Sequence, residues 1–264
     1  FIYLAYPIVG ITLVLLFVKY ILRQYIGHGI TGILYDISKN QAVIKVHSIF
    51  SSVIASALTV GFGGSVGLEG PAVASGGAVG SNVGRLFRLN FKQRVLLIGC
   101  GSAAAIAAIF KAPIAGIVFA FEVIMLDLTT ASVIPILIAA SSAALTSFAL
   151  LGQDVIYPFE LKTSFIVRDL PYYLGLGVFS GFISVYFSRL YLYITDKFEK
   201  VKSKIKRLFI GGGILGLLIL FFPSLYGDGY ESINLALLGE KEYLFEHSFF
   251  SRFSDSVEVA LFLL

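Results

Sequence analysis

Long apolar runs alternate with short polar or glycine-rich breaks along the whole chain. The runs predict helices over 1–26, 45–61, 71–87, 95–110, 113–122, 131–152, 170–194 and 208–222, and another that starts near Ser254. Several approach or exceed the roughly 20 apolar residues that span a bilayer. Between the first two lies Gly27-His28-Gly29-Ile30-Thr31-Gly32, a turn that opens a short helical piece ending near Asp36 to Asn40. The break that organises the rest is Gly61-Phe62-Gly63-Gly64-Ser65-Val66-Gly67-Leu68-Glu69-Gly70-Pro71. Glycine frees the backbone to leave helical geometry, and proline is tolerated in the first turn of a helix, where its missing N–H would be unpaired anyway. One helix therefore ends near Gly63 and the next begins near Glu69 to Pro71, both within the membrane. A second break, Lys111-Ala112-Pro113, again ends in a proline that starts a helix. Helices broken at membrane depth are tolerated where they are buried or line a cavity, which points to a transport path.

Composition sharpens the class. Of 264 residues 57% are hydrophobic and 14% charged, and the mean hydropathy is +0.89, whereas a soluble domain carries about 25% charged residues. The chain reads as one all-α integral membrane domain over 1–264. Phe1 and Leu264 each fall inside an apolar run, as in a window of a longer protein. The single cysteine, Cys100, excludes an internal disulfide framework. His28, His47 and His247 are too scattered for a metal site, no cofactor motif is present, and the glycine stretch lacks the Gly-Lys-Ser/Thr ending of a nucleotide loop. The net charge of +4 is too small and too localised for nucleic acid, and no catalytic constellation is present: the chain is not read as an enzyme.

Charge placement sets an orientation. Lys19 and Arg23, the segment 85–94 with Arg85, Arg88, Lys92 and Arg94, and the segment 196–207 with Lys197, Lys200, Lys202, Lys204, Lys206 and Arg207 are expected on the cytoplasmic side of a plasma or inner membrane. The segment 227–247 carries Asp228, Glu231, Glu240, Glu242 and Glu246 against one lysine and is expected opposite.

The candidate chemistry is anion binding. The first amides of the helix at Glu69 carry partial positive charge and no internal partner. An ionised carboxylate at mid-bilayer costs roughly 2.5 kcal/mol or more, and a helix N-terminus returns about 0.3–1 kcal/mol, rising to about 2 kcal/mol when partly buried, a near balance that suits a group moving between bound and released states. Glu69 is therefore expected to occupy an anion site and to move or be protonated before an anion passes. The competing reading is a glycine-rich packing face with Glu69 in the headgroups. His28 is either an N–H donor to an anion or an interfacial histidine. Glu122 is either a buried proton-path group or a structural acceptor. Gly76, Gly77, Gly80 and Gly84, at spacings of three and four, admit close helix approach.

Gly67-Leu68-Glu69-Gly70-Pro71 resembles the Gly-Arg-Glu-Gly-Pro motif of the CLC chloride channels and transporters. The segment from Ala103 to Met125, with Lys-Ala-Pro-Ile-Ala-Gly-Ile-Val-Phe and Glu122, is similar to that family's segment two helices later, and Gly27-His28-Gly29-Ile30-Thr31 stands where the family has Gly-Ser-Gly-Ile-Pro. The resemblance runs from the family's third helix to about its twelfth. It implies a homodimer in a lipid bilayer, with one pathway for chloride or another small anion per subunit and inverted repeats of tilted, broken helices. It also implies Glu69 as the gating glutamate and an anion site built from Gly27, His28, Gly29, Ile30, Gly67, Leu68, Gly70 and Pro71. The family's Gly-x-Phe-x-Pro loop and late tyrosine would lie past Leu264.

The departures shift the expectation. His28 replaces a serine, Thr31 a proline, and Leu68 an arginine. The place of the exchangers' internal glutamate, after Glu122, is Val123, which carries no proton. Channel-like or weakly proton-coupled anion movement is thus expected, with a chloride/proton antiporter as the alternative within the family. An organic-anion transporter and a membrane scaffold are readings of other classes.

Overall fold

The computed structural model describes residues 2–24, 29–124, 129–152, 155–157 and 166–238. These fold into helices α1 (Ile2–Leu16), α2 (Gly29–Lys39), α3 (Ser48–Gly61), α4 (Glu69–Leu86), α5 (Phe91–Phe110), α6 (Pro113–Val123), α7 (Thr130–Leu151), α8 (Leu170–Glu199), α9 (Lys204–Phe221) and α10 (Tyr230–Leu238), with no strand among the described residues. A π-helical turn, Phe17–Leu22, extends α1 and stops at Arg23, which adopts the left-handed conformation at φ 51°. The helices Leu4–Leu22, Phe91–Phe110, Ala131–Leu151 and Val167–Glu199 are long and apolar enough to cross a membrane. The expected shorter span at α9 is not among them, because its first turn carries Lys204, Lys206 and Arg207.

Local hydrogen bonding moves several boundaries from their expected places. α5 starts at Phe91 instead of Val95 because Asn90 and Gln93 cap it reciprocally: the Gln93 N–H donates to Asn90 Oδ1 at 3.0 Å and the Asn90 N–H to Gln93 Oε1 at 3.2 Å. Lys92 and Arg94 therefore sit on a helix. α3 starts at Ser48, three residues after Lys45, because the preceding chain is held in a turn. The Ile44 N–H there donates to Ser81 Oγ at 2.9 Å, and Ser81 Oγ donates to the Ala42 carbonyl at 2.7 Å. The basic run 196–207 is mostly helical, α8 ending at Glu199 and α9 beginning at Lys204. The acidic segment holds a helix, α10, that periodicity did not predict. The helix expected near Ser254 lies outside the described residues.

The breaks at 61–71 and 111–113 are chain reversals. α3 and α4 run antiparallel across the loop 62–68, and α5 and α6 run antiparallel across Lys111, whose φ of 51° makes the turn. The packing depends on missing side chains. A Cβ on Gly80 would strike the Leu97 backbone carbonyl, one on Gly76 the Gly101 carbonyl, and one on Gly116 the Ala103 carbonyl. α7 closes on α5 through Ser147, whose hydroxyl donates to the Ala108 carbonyl at 2.8 Å. The interior consists of small and β-branched residues: Val73, Ala78, Ile98, Ala103, Ala107, Ala120, Ile136 and Ala140 are all buried. On the other flank α1 and α9 run antiparallel, Gly212 against Ile8 and Gly216 against Leu4. Followed along these contacts, Lys19, Lys45, Arg85, Lys92, Arg94 and Lys204 fall at one end of the molecule. The loop before Glu69, the end of α5 and the end of α9 fall at the other.

Candidate functional site

The loop between α3 and α4 is fixed by backbone bonds. The Gly63 N–H donates to Val60 O at 2.9 Å and the Gly64 N–H to Thr59 O at 2.8 Å, with Gly63 at φ 84°. No other residue type holds that conformation without strain. From across the chain, Tyr226 Oη donates to the Gly61 carbonyl at 2.8 Å, and the Val66 N–H donates to the Gly227 carbonyl at 3.3 Å. Leu68 caps α4 without a side-chain bond. The first amide of α4 with an acceptor in its own helix is that of Ala72, which donates to Leu68 O at 3.1 Å. The amides of Glu69 and Gly70 precede it, at the end of the helix where partial positive charge accumulates.

Glu69, the first residue of α4, is half-buried. Its carboxylate folds back over Gly67, where a Cβ would collide with Oε2, and its Oε1 accepts the hydroxyl of Tyr230. Tyr230 is packed edge-on to Tyr157, ring centroids 5.6 Å apart, and to Phe110 at 6.5 Å, while Phe110 and Tyr157 stack at 6.3 Å. The carboxylate therefore has a helix N-terminus on one side and an aromatic wall on the other. Gly29, at φ 51°, opens α2 with its Cβ position 3.8 Å from Gly70, and Ile33 lies against Gly77. α2 and α4 thus run side by side in the same sense with their N-termini level. Two positive helix ends meet there, an arrangement able to hold an anion with backbone N–H groups alone.

Of the residues singled out in the sequence, Gly29, Gly67, Leu68, Gly70 and Pro71 gather around Glu69. Gly27 and His28 lie outside the described residues. Ile30 is partly buried and packs on the core formed by Ile33, Val73 and their neighbours. Glu122 and Val123 lie at the far end of α6, at the level of the basic residues. Glu122 is exposed, which does not fit the buried alternative of the two held open for it: α6 turns that position outward while Gly116 and Ala120 face the interior. Lys111 turns away from Glu69, its Nζ donating to the Gly152 carbonyl at 2.8 Å and lying 5.4 Å from the Phe148 ring centroid. His47, the remaining described histidine, stands before α3 at the basic end, where burial and then Lys45 hold its imidazole below its usual pKa. Tyr230, Tyr157 and Phe110 were not foreseen. The 161 positions between Glu69 and Tyr230 are bridged by tertiary structure, and no periodicity signals such a pair.

Among the described residues, an all-helical bundle with four helices long and apolar enough to cross a membrane defines the class as a helical membrane protein. The profile of the voltage gated chloride channel family matches residues 10–264, and the chain belongs to that family. It is 29% identical over 236 residues to a putative chloride channel protein ClcB-like of Ralstonia nicotianae, covering 88% of this chain and 55% of that one. It is 35% identical over 182 residues to the H(+)/Cl(-) exchange transporter ClcA of Vibrio parahaemolyticus, covering 66% of this chain and 39% of that one. The chain thus spans about half, or less, of the length of such relatives. Among solved structures, a slow cyanobacterial Cl-/H+ antiporter shares the fold at TM-score 0.75 and 21% identity, over 93% of this chain and 60% of that one. A CLC-type fluoride/proton antiporter matches at TM-score 0.68 and 27% identity, over 82% and 55%.

Proposed function

We propose that this chain forms part of a transmembrane pathway for chloride or a similar small anion, with Glu69 as its gate. The observation that carries the reading is the Glu69 carboxylate at the first turn of α4, beside the N-terminus of α2. An anion arriving there competes with the carboxylate for the same positive end, and protonation or displacement of Glu69 frees it. Transport is channel-like or weakly coupled to protons, since Val123 offers no proton site. The anion site extends over Gly27, His28, Gly29, Ile30, Gly67, Leu68, Gly70 and Pro71. The protein works as a homodimer in a plasma or inner membrane, with segments 85–94 and 196–207 cytoplasmic. The gathering of basic residues at one end of the molecule supports that orientation.

A second reading, chloride/proton exchange, is favoured by relatives named H(+)/Cl(-) exchange transporter ClcA and by the solved structure of a CLC-type fluoride/proton antiporter. It requires an internal proton path other than Val123. Chloride efflux from liposomes containing the full-length protein, with external pH recorded at the same time, separates the two. Wild type is expected to move chloride with little proton flux, and Glu69→Gln to be faster, by about tenfold if the gate costs about 1.4 kcal/mol, or to lose pH dependence. Uphill proton movement driven by chloride, abolished by Glu69→Gln, would establish the exchanger instead. Unchanged flux and pH profile in Glu69→Gln would remove Glu69 from the pathway.

A further inference from the structure

One short segment touches the gate region at three successive points. Tyr226 donates its hydroxyl to the last carbonyl of α3 at Gly61, 2.8 Å away. The Gly227 carbonyl accepts the Val66 N–H at 3.3 Å. Tyr230 donates its hydroxyl to the Glu69 carboxylate. Gly227 at φ 85° and Gly229 at φ 79° provide the left-handed turns that bring the three contacts into line with the loop, a geometry strained for other residues. The Tyr230 ring is held from behind by Tyr157 and Phe110, so its hydroxyl is aimed by packing as well as by the backbone.

We infer that residues 226–230 form a clasp over the gate, in which Tyr230 is a positioning residue that holds the Glu69 carboxylate in the closed place. The inference rests on the reading of Glu69 as the gate. A phenol donating to an ionised carboxylate makes a charge-assisted bond, stronger than a neutral one. Opening the gate requires breaking it. Protonation of Glu69 removes the charge that makes the bond strong, so the clasp couples opening to external pH. Among the described residues, the other groups near the pair are few. On the segment and α10 they are Asp228, whose Oδ1 accepts the Tyr230 N–H at 3.3 Å, and Glu231. Across from them stands Tyr157, stacked on the Phe110 ring. Tyr226 is engaged with Gly61, and Lys111 is directed to Gly152. α4 carries no other titratable group before Arg85, and the first turn of α2 carries none.

The test is the pH profile of chloride efflux from liposomes holding the full-length protein. Tyr230→Phe keeps the ring and removes the donor. The midpoint of acid activation is expected to move to higher pH by about one unit, the effect of losing one hydrogen bond to a charged group. Tyr230→Phe should add no further shift of the pH profile in a Glu69→Gln background. Tyr157→Phe, which retains the ring contacts, should leave the midpoint in place. If Tyr230→Phe does not fold, 3-fluorotyrosine at position 230 serves, since a more acidic hydroxyl is a stronger donor and should lower the midpoint. An unmoved midpoint with either substitution overturns the clasp, as does an equal shift in Tyr157→Phe. If Glu69→Gln alters the profile while Tyr230→Phe does not, only the clasp fails. If Glu69→Gln leaves it unaltered, the gate assignment fails and takes the clasp with it.

Discussion

α4 and α8 carry the same small-residue spacing and meet opposite fates. In α4, Gly76 and Gly80 stand four apart, and a Cβ at either would run into the backbone of α5. In α8, Gly177 and Gly181 also stand four apart, yet nothing lies within 4 Å of either Cβ position, and α8 has no buried residue among those described. Hydrophobicity does not separate the two, because lipid tails offer an apolar side chain the same environment as a neighbouring helix. The partner separates them. Opposite Gly76, α5 presents Gly101 and Ala105, and a Cβ on Gly101 would in turn strike Gly76. Reciprocal smallness lets two backbones approach and accumulate many weak dispersion contacts. The glycines of α8 are flanked by exposed Leu174, Phe179 and Phe182, and no described helix meets them with small residues. Spacing permits close packing; a complementary surface on another helix decides whether it happens.

The largest effect that could break this contrast is a bulky residue at the tight crossing. Gly80→Leu puts a side chain where the Leu97 carbonyl and the Ile98 amide already stand. Backbone does not yield as a side-chain tip does, so the cost should exceed the about 1–3 kcal/mol of ordinary overpacking. Full-length protein carrying it is expected to lose its monodisperse peak on size exclusion in detergent, whereas Gly181→Leu keeps it. A Gly80→Leu protein that elutes and melts like wild type would mean that α4 and α5 are not in contact at this crossing.

A smaller effect tests whether polar groups discriminate in the same way. Ser81 is fully buried on α4 and joins two backbone groups of the 42–44 turn, accepting from the Ile44 N–H and donating to the Ala42 carbonyl. Ser81→Ala leaves both without this partner, at about 1–3 kcal/mol for a buried unsatisfied group. The thermal midpoint should fall by several degrees, while Ser180→Ala, on exposed α8, should leave it unchanged. Equal responses would show that water or lipid headgroups reach the 42–44 turn as freely as they reach α8.

The same physics explains what could be read from the sequence. The membrane class, the short helix after Gly29, the helix start at Glu69 and the reversal at Pro113 are all written in local composition. Glycine, proline and apolar run length act within a few residues of themselves. The starts of α3 and α5 were misplaced because hydropathy does not register a hydrogen bond: Asn90 and Gln93 begin α5 inside a charged stretch, and Ser81 delays α3 from 37 residues away. At the site, Gly67, Leu68, Gly70 and Pro71 lie beside Glu69 because they are its neighbours in the chain. Tyr230 came from another helix, in a segment whose sequence signal was its run of acidic residues. The side of α6 on which Glu122 lies was not legible, because a short apolar helix offers no periodic contrast to say which side faces in.

The smallest effect sharpens the contrast from the side of α8. Gly177→Ala adds a methyl group where there is open space, so no clash opposes it. Alanine is favoured over glycine in a helix by up to about 1 kcal/mol, and the gain should shrink in a bilayer, where an unpaired backbone amide already has no alternative to the helix. The thermal midpoint of the full-length protein should therefore rise slightly or stay level, with chloride flux unchanged. A fall would carry more information than a rise. It would mean that in the intact protein another surface reaches Gly177, from a second copy or from chain outside the described residues, and approaches closely enough that one methyl group matters. α8 would then belong with α4, its spacing used by a partner of the same reciprocal kind.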